Sequence, residues 1–195
     1  MTNLPFLFVT GSAAKRAEAE RILGETVEVH PLDLPEIQSL DLLEVLRAKA
    51  EEAWRCLGRP LVVEESGLDL EALGGFPGPL VKWMLEAAGA ERLAETAIAL
   101  GDPRATVRCA LLYRPGPDPE QAVVVESALE GRLVLPPRGT GGFGWDPVFE
   151  PQSEERTLGE MSGEEKDAKA PRGRAWRELR GRLRAPGAGT GGDEN

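Results

Sequence analysis

Residues that carry nucleophilic, metal-binding or stapling chemistry are scarce in this chain. Its 195 residues include one histidine, one tyrosine and two cysteines. With only Cys56 and Cys109, no disulfide framework is available, and a chain of this length buries a core without one. Both cysteines sit in apolar surroundings and read as buried thiols rather than a disulfide. The lone His30 ends a predicted strand as a surface or packing residue, and no base stands beside either thiol, so a cysteine nucleophile is disfavoured. Positive charge is also short. Lys and Arg number 23 against 33 Asp and Glu, a net charge of -10, which excludes a sequence-independent nucleic-acid binder. Apolar runs stay below the roughly 18 residues of a membrane span, and residues 1–25 lack a signal-peptide pattern. We expect a cytoplasmic protein without a membrane or nucleic-acid partner.

What is present alternates between strand and helix. Leu4 to Thr10 is an apolar run of strand length; Ala14 to Leu23 has helical spacing and stops at Gly24. Thr26 to His30 alternates as a second strand. Asp41 caps a helix to Leu57 that Gly58 ends, and Leu61 to Val63 is a buried strand ending on Glu64-Glu65-Ser66-Gly67. Leu80 to Leu100 reads as one helix broken near Gly89 or as two short ones. Thr106 to Tyr113 and Ala122 to Leu129 form a hairpin across a Pro-rich turn, and Gly173 to Leu183 is a basic helix. Trp54 and Trp176 fall at apolar helical spacing and read as core; the pairs Glu154-Glu155 and Glu164-Glu165 read as solvated loop charges. The pattern predicts one α/β domain over residues 1–184, with a mixed central sheet flanked by helices and a disordered Gly-rich tail at 185–195.

Three segments carry candidate chemistry. Gly141-Gly142-Phe143-Gly144-Trp145-Asp146-Pro147 sets two aromatic faces among glycines that permit close approach, with Lys166 and Arg172 downstream. It fits one wall of a nucleotide pocket, or a tight turn whose aromatics are core. The turn Thr10-Gly11-Ser12-Ala13-Ala14-Lys15 feeds a helix N-terminus, where N–H groups, hydroxyls and an ammonium suit phosphate; it equally fits a plain helix start. Glu36, after a proline, and the pair Glu64-Glu65 offer the hard oxygens that Mg²⁺ takes, or a solvated acidic turn. Strand alternation lets only one of Glu64 and Glu65 point fully into a given site.

In register, these pieces resemble the Ham1-type inosine triphosphate pyrophosphatases from about Phe8 to Leu183. The matching pieces are Phe8-Val9-Thr10-Gly11 with Lys15; Leu34-Pro35-Glu36; Val63-Glu64-Glu65-Ser66-Gly67-Leu68; and Ala72-Leu73-Gly74-Gly75-Phe76-Pro77-Gly78-Pro79. They continue with Pro137-Arg138-Gly139; Phe143-Gly144-Trp145-Asp146-Pro147; Thr157 with Glu160-Met161; and Lys166 with Arg172. Lys82-Trp83 looks like the eukaryotic-style branch. The resemblance implies a two-lobed α/β fold of the Ham1/Maf-like type with the cleft between lobes, usually a homodimer. It also implies Mg²⁺-dependent cleavage of ITP, dITP or XTP to the monophosphate and pyrophosphate. Thr10, Ser12 and Lys15 would hold the triphosphate. Glu36 and Glu65 would hold Mg²⁺, with Glu65 also activating water, and Glu64 and Ser66 lining the substrate. Phe143 would stack on the purine beside Trp145 and Asp146, and Lys166, Asp167 and Arg172 would contact the base.

The departures are specific. Ser12 stands where the family usually has Asn, and Glu65 where the catalytic acid is usually Asp. The base-reading segment has Asp167, Ala170 and Pro171 for the usual Asn, Ser and His. Asp167 could accept from an amino-bearing purine or an N1–H. Two other readings therefore stand beside the first: the same scaffold turned to another or modified nucleotide, and a nucleotide-binding protein that has lost turnover.

Overall fold

Leu7–Val9 form β1, three apolar residues buried on both faces. The computed structural model describes residues 4–184, so the predicted tail at 185–195 lies outside the described residues. β1 is shorter than Leu4 to Thr10 because parallel neighbours flank it only there: Phe8 pairs with Val29 of β2 (Val29–His30) and with Val62 of β3 (Leu61–Leu70). β2 is likewise shorter than Thr26 to His30. Between them lie α1 (Ala13–Leu23) and α2 (Leu42–Leu57). Asp41 caps α2 as predicted, accepting the Leu43 and Glu44 N–H groups at 2.8 and 3.3 Å.

β3 corrects the sequence reading. The apolar run stops at Val63, yet the strand continues to Leu70 because β5 (Arg104–Arg114) pairs with it over its whole length, Glu64 facing Leu111 and Glu65 facing Ala110. Glu64 and Glu65 thus lie mid-strand in the centre of the sheet rather than at its edge. A short β4 (Pro77–Gly78) joins β3, and α3 (Val81–Ala99) leaves helical geometry at Gly89 (φ 81°, ψ 169°), as expected. The predicted hairpin is β5 with β6 (Val123–Leu133), extended past both predicted ends; β7 (Phe149–Pro151) closes that side. The sheet order is β2-β1-β3-β5-β6-β7 with β4 on β3, parallel at β1 and antiparallel elsewhere.

Three apolar clusters hold helices to this sheet. Leu46, Ala50 and Ala53 of α2 pack on Leu61, Val63 and Leu112. On the opposite face, Ala19 and Leu23 of α1 pack on Phe8 and Val62 with Trp176 and Leu179 of α5 (Pro171–Arg184). Further along that face, Leu93 and Ala97 of α3 meet Leu68, Val107 and Phe149. Each fully buried Leu or Phe contributes roughly 1.5–3 kcal/mol through area removed from water. Trp176 is core, edge-on to Phe8 at 5.0 Å, but Trp54 is only half-buried beneath the Arg114 guanidinium. Cys109 is a buried free thiol, whereas Cys56 is exposed, because it falls off the inward face of α2.

One short helix escaped prediction. α4 (Gly163–Lys169) starts with a reciprocal cap: Glu165 accepts the Ser162 N–H at 2.9 Å and Ser162 Oγ accepts the Glu165 N–H at 3.2 Å. The Ser-x-x-Glu spacing carried that signal. Glu165 also pairs with Arg156, and Glu154 with Lys169, so these acids are structural rather than loose loop charges.

Candidate active site

A cavity of about 600 Å³ opens beside β3, bounded by the N-terminal ends of α1 and α3, the loop around residue 36 and the Phe143–Asp146 segment. Thr10, Ser12, Lys15, Glu36, Glu64, Glu65 and Ser66 all line it, as do Phe143, Trp145, Asp146 and Arg172. Lys166 and Asp167 do not.

Thr10, Ser12 and Lys15 form one turn. Thr10 Oγ1 accepts the Ser12 N–H at 3.1 Å, and Ser12 Oγ caps α1 by accepting the Lys15 N–H at 3.3 Å. Each hydroxyl keeps its own proton to donate. Serine and asparagine both serve as N-caps, so Ser12 preserves the helix start. The positive end of α1 therefore faces the cavity with donors available.

Glu36 and Glu65 come from different parts of the chain and converge on one ammonium. Lys49 Nζ pairs with Glu65 and lies 3.7 Å from Glu36 Oε1; Lys82 Nζ lies 3.2 Å from Glu36 Oε2. Two carboxylates already sharing a cation supply the oxygen donors that a hard divalent ion takes, with water and phosphate completing its shell. The residues fit such an ion. Lys49 was not anticipated, although a lysine four residues after Val45 and three after Leu46, on the inward face of α2, was a readable sign.

Glu64 points the other way along β3, as alternation requires, and borders the cavity only from its buried side. It joins a buried ionic cluster. Glu64 Oε1 accepts from Arg172 Nε at 3.0 Å and lies 3.2 Å from Lys15 Nζ. Glu18 accepts from Lys166 at 2.7 Å and from Arg172 at 2.5 Å, and Asp146 Oδ2 accepts from Lys166 at 2.7 Å. Burial pushes the carboxyls of Glu64 and Glu18 upward, but their cations more than offset it and hold both below the usual range. At Asp146 burial prevails over Lys166, and its carboxyl stands above the usual range. Glu64 Oε2 is buried with no donor, an uncompensated acceptor at the cavity wall. Glu18 escaped the sequence reading; its place three residues after Lys15 on α1 put both on one helix face.

The aromatic wall is shaped by its glycines and by Asp146. Asp146 Oδ2 accepts the Phe143 N–H at 2.6 Å, and a Cβ at Gly142 (φ 73°) would strike that carboxylate. Phe143 is therefore held at the rim, 36% exposed, with Lys166 Nζ 4.7 Å and Arg172 Cζ 5.0 Å from its ring centre. A ring meeting two cations is an arrangement worth about 0.5–2 kcal/mol per cation. Asp167 is displaced from the expected role: its carboxylate is taken by Arg21 at 2.5 and 3.0 Å and faces α1 rather than the cavity.

The model of the Ham1 family matches residues 6–182. The chain belongs to the Ham1 family. It is 41% identical over 177 residues to inosine triphosphate pyrophosphatase 2 of Trypanosoma cruzi, covering 89% of each chain. A HAM1 protein from Coxiella burnetii superimposes with a TM-score of 0.77 at 26% identity, over 91% of this chain and 98% of that one. A nucleoside-triphosphatase / dITP/XTP pyrophosphatase from Mycobacterium abscessus does so with a TM-score of 0.66 at 32% identity, over 90% and 98%. The mixed sheet flanked by helices is thus the Ham1 fold. Among the described residues, no helix is long and apolar enough to cross a membrane.

Proposed function

We propose that this chain is a nucleoside triphosphate pyrophosphatase acting on non-canonical purine nucleotides such as ITP, dITP and XTP with Mg²⁺, in the cytoplasm. The observation that carries the reading is the composition of one cavity: paired carboxylates, lysines and a helix N-terminus share it with an aromatic rim backed by a buried guanidinium. The names of the relatives point the same way. We read the chain as one domain through residue 184, with one lobe on each side of the cavity: Val81, Leu85 and Trp145 border it on one side and Val9, Leu32 and Leu34 on the other.

The division of labour follows from the contacts. Lys15 and the free hydroxyls of Thr10 and Ser12 hold phosphate oxygens, with Lys49 and Lys82 facing the same charge. Glu36 and Glu65 hold Mg²⁺. When bound, the ion neutralises phosphate charge and favours ionisation of a water. Glu65 accepts the proton that the attacking water gives up as the bond between the α- and β-phosphates opens and pyrophosphate leaves. Phe143 and Trp145 offer their faces to the purine, and Arg172, with Lys166 behind it, presents N–H donors that a 6-keto oxygen accepts. Glu64 and Ser66 hold that guanidinium in place.

Pyrophosphate release from ITP, XTP, dITP, GTP, ATP, CTP and UTP, with and without Mg²⁺, tests this reading. Turnover of ITP and XTP well above ATP, lost on chelation, is expected. A preference for another base would mean a redirected pocket, and nucleotide binding without turnover would sink the catalytic reading.

The assembly we propose is a homodimer. Leu40, Phe76 and Trp83 are exposed by 58, 46 and 55%, and the loop carrying Leu40 lies against Gly78. Large apolar side chains gathered outside the cavity mark a covered surface. Light scattering should give twice the 21.0 kDa of one chain; W83E combined with F76S should give the monomer mass.

A further inference from the structure

Lys166 and Asp167 are successive residues of α4, both buried, and α1 grips each with the opposite charge. Glu18 takes Lys166 at 2.7 Å, and Arg21, one turn along α1, takes Asp167 through two hydrogen bonds. Sliding α4 one way along α1 would carry Lys166 toward Arg21, and sliding it the other way would carry Asp167 toward Glu18. Either shift sets like charges together beside two buried residues, so the crossed pairs favour one register, although the Arg21 side chain itself is 39% exposed. The main chain of Asp167 is fixed as well: its carbonyl accepts from Arg177 at 2.9 Å, and Gly173 packs so close to that carbonyl that any Cβ there would overlap it.

We propose that Arg21 and Asp167 are a positioning pair, which sets where the Lys166 ammonium stands behind Phe143 and so governs base selectivity without touching the nucleotide. The consequence reaches the cavity through Lys166, which lies 2.7 Å from Asp146 and 4.7 Å from the Phe143 ring centre. Asp146 in turn holds the Phe143 N–H at 2.6 Å. A shift of Lys166 therefore moves the acid that fixes the aromatic rim. This proposal rests on the pyrophosphatase reading above.

The experiment compares D167N, R21Q, the double variant and the charge-exchanged pair R21D/D167R. It measures KM and kcat for ITP and ATP, together with the melting temperature. A coupled pair of this kind predicts that either single variant raises KM for ITP about fivefold or more, with kcat changed less. The double variant should be no worse than either single one, and charge exchange should restore the ITP preference at least in part. Two results overturn the proposal. Lower melting temperatures with unchanged KM values would make the pair merely structural, whereas a change in D167N that R21Q does not share would make Asp167 a direct base contact. Should the unaltered protein turn over no triphosphate, the dissociation constant of IMP by calorimetry replaces KM. The same comparison of variants then tests the pair separately from the catalytic reading.

Discussion

Replacing Glu65 by Gln should lower the turnover of ITP by roughly 10²- to 10⁴-fold, the range for loss of a group that moves a proton in the transition state. The amide keeps the shape and can still accept a hydrogen bond from Lys49, which now pairs with the carboxylate. The fold should therefore survive, and a melting temperature within a few degrees of the unaltered protein is expected. What the amide lacks is the charge that shares a cation with Glu36 and the basicity to take a proton from water. E65D tests the position of the acid separately. The shorter side chain withdraws the carboxylate by roughly 1 to 1.5 Å, and a misplacement of that size costs up to about 10²-fold. Glu65 Oε1 accepts the Ser66 N–H at 3.2 Å while its other oxygen meets Lys49, so this chain has partners arranged for the longer acid. A loss of about tenfold in E65D, smaller than in E65Q, is the expected result, read by pyrophosphate release at saturating ITP. A gain would show that the extra methylene is a handicap, and an active E65Q would remove Glu65 from the chemistry.

Much of this site was legible because its pieces carry local signals. The turn after β1 and the glycine-aromatic segment announce themselves by residue type, and the structure places both on one cavity. Their helix stops, caps and hairpin were equally local, which is why Asp41 and the break at Gly89 were correctly assigned. The misses share a different cause: they depend on partners far along the chain. β3 runs through Glu64 and Glu65 because β5, some forty residues on, supplies its hydrogen bonds. Glu18 matters because Lys166 and Arg172, 148 and 154 residues away, end on it. Asp167 looked like a base contact from its place in a motif, but Arg21 captures it. Motif position identifies which residues approach a site; which of them face the ligand is decided by charges that only folding brings together.

Arg172→Met should be the most destabilising change in the cluster. Methionine matches much of the volume but leaves Lys15 as the one cation paired with Glu64 and Lys166 as the one paired with Glu18 among the described residues. Removing one partner of a buried ion pair costs about 3–5 kcal/mol, or roughly 6 to 20 °C in melting temperature for a domain of this size. Glu64 is the more exposed to this loss in energetic terms, because its Oε2 already lacks a donor. The deficit should depend on pH, with a sign fixed by the present shifts. In the unaltered protein Glu18 and Glu64 are held below their usual range, so their contribution is present above about pH 4.3 and is lost as pH falls through the lowered values. Without Arg172 the upward push of burial is opposed by fewer cations, and the carboxyls rise. The variant is then penalised most near pH 7, where the unfolded chain ionises freely, and less toward pH 4, where its raised carboxyls take up protons. Thermal melts of the two proteins from pH 4 to pH 8 should therefore converge toward the acid end. A gap that stays constant with pH would show that Arg172 supports the site by packing rather than by charge, and ITP binding by the variant as tight as that of the unaltered protein would remove it from base recognition.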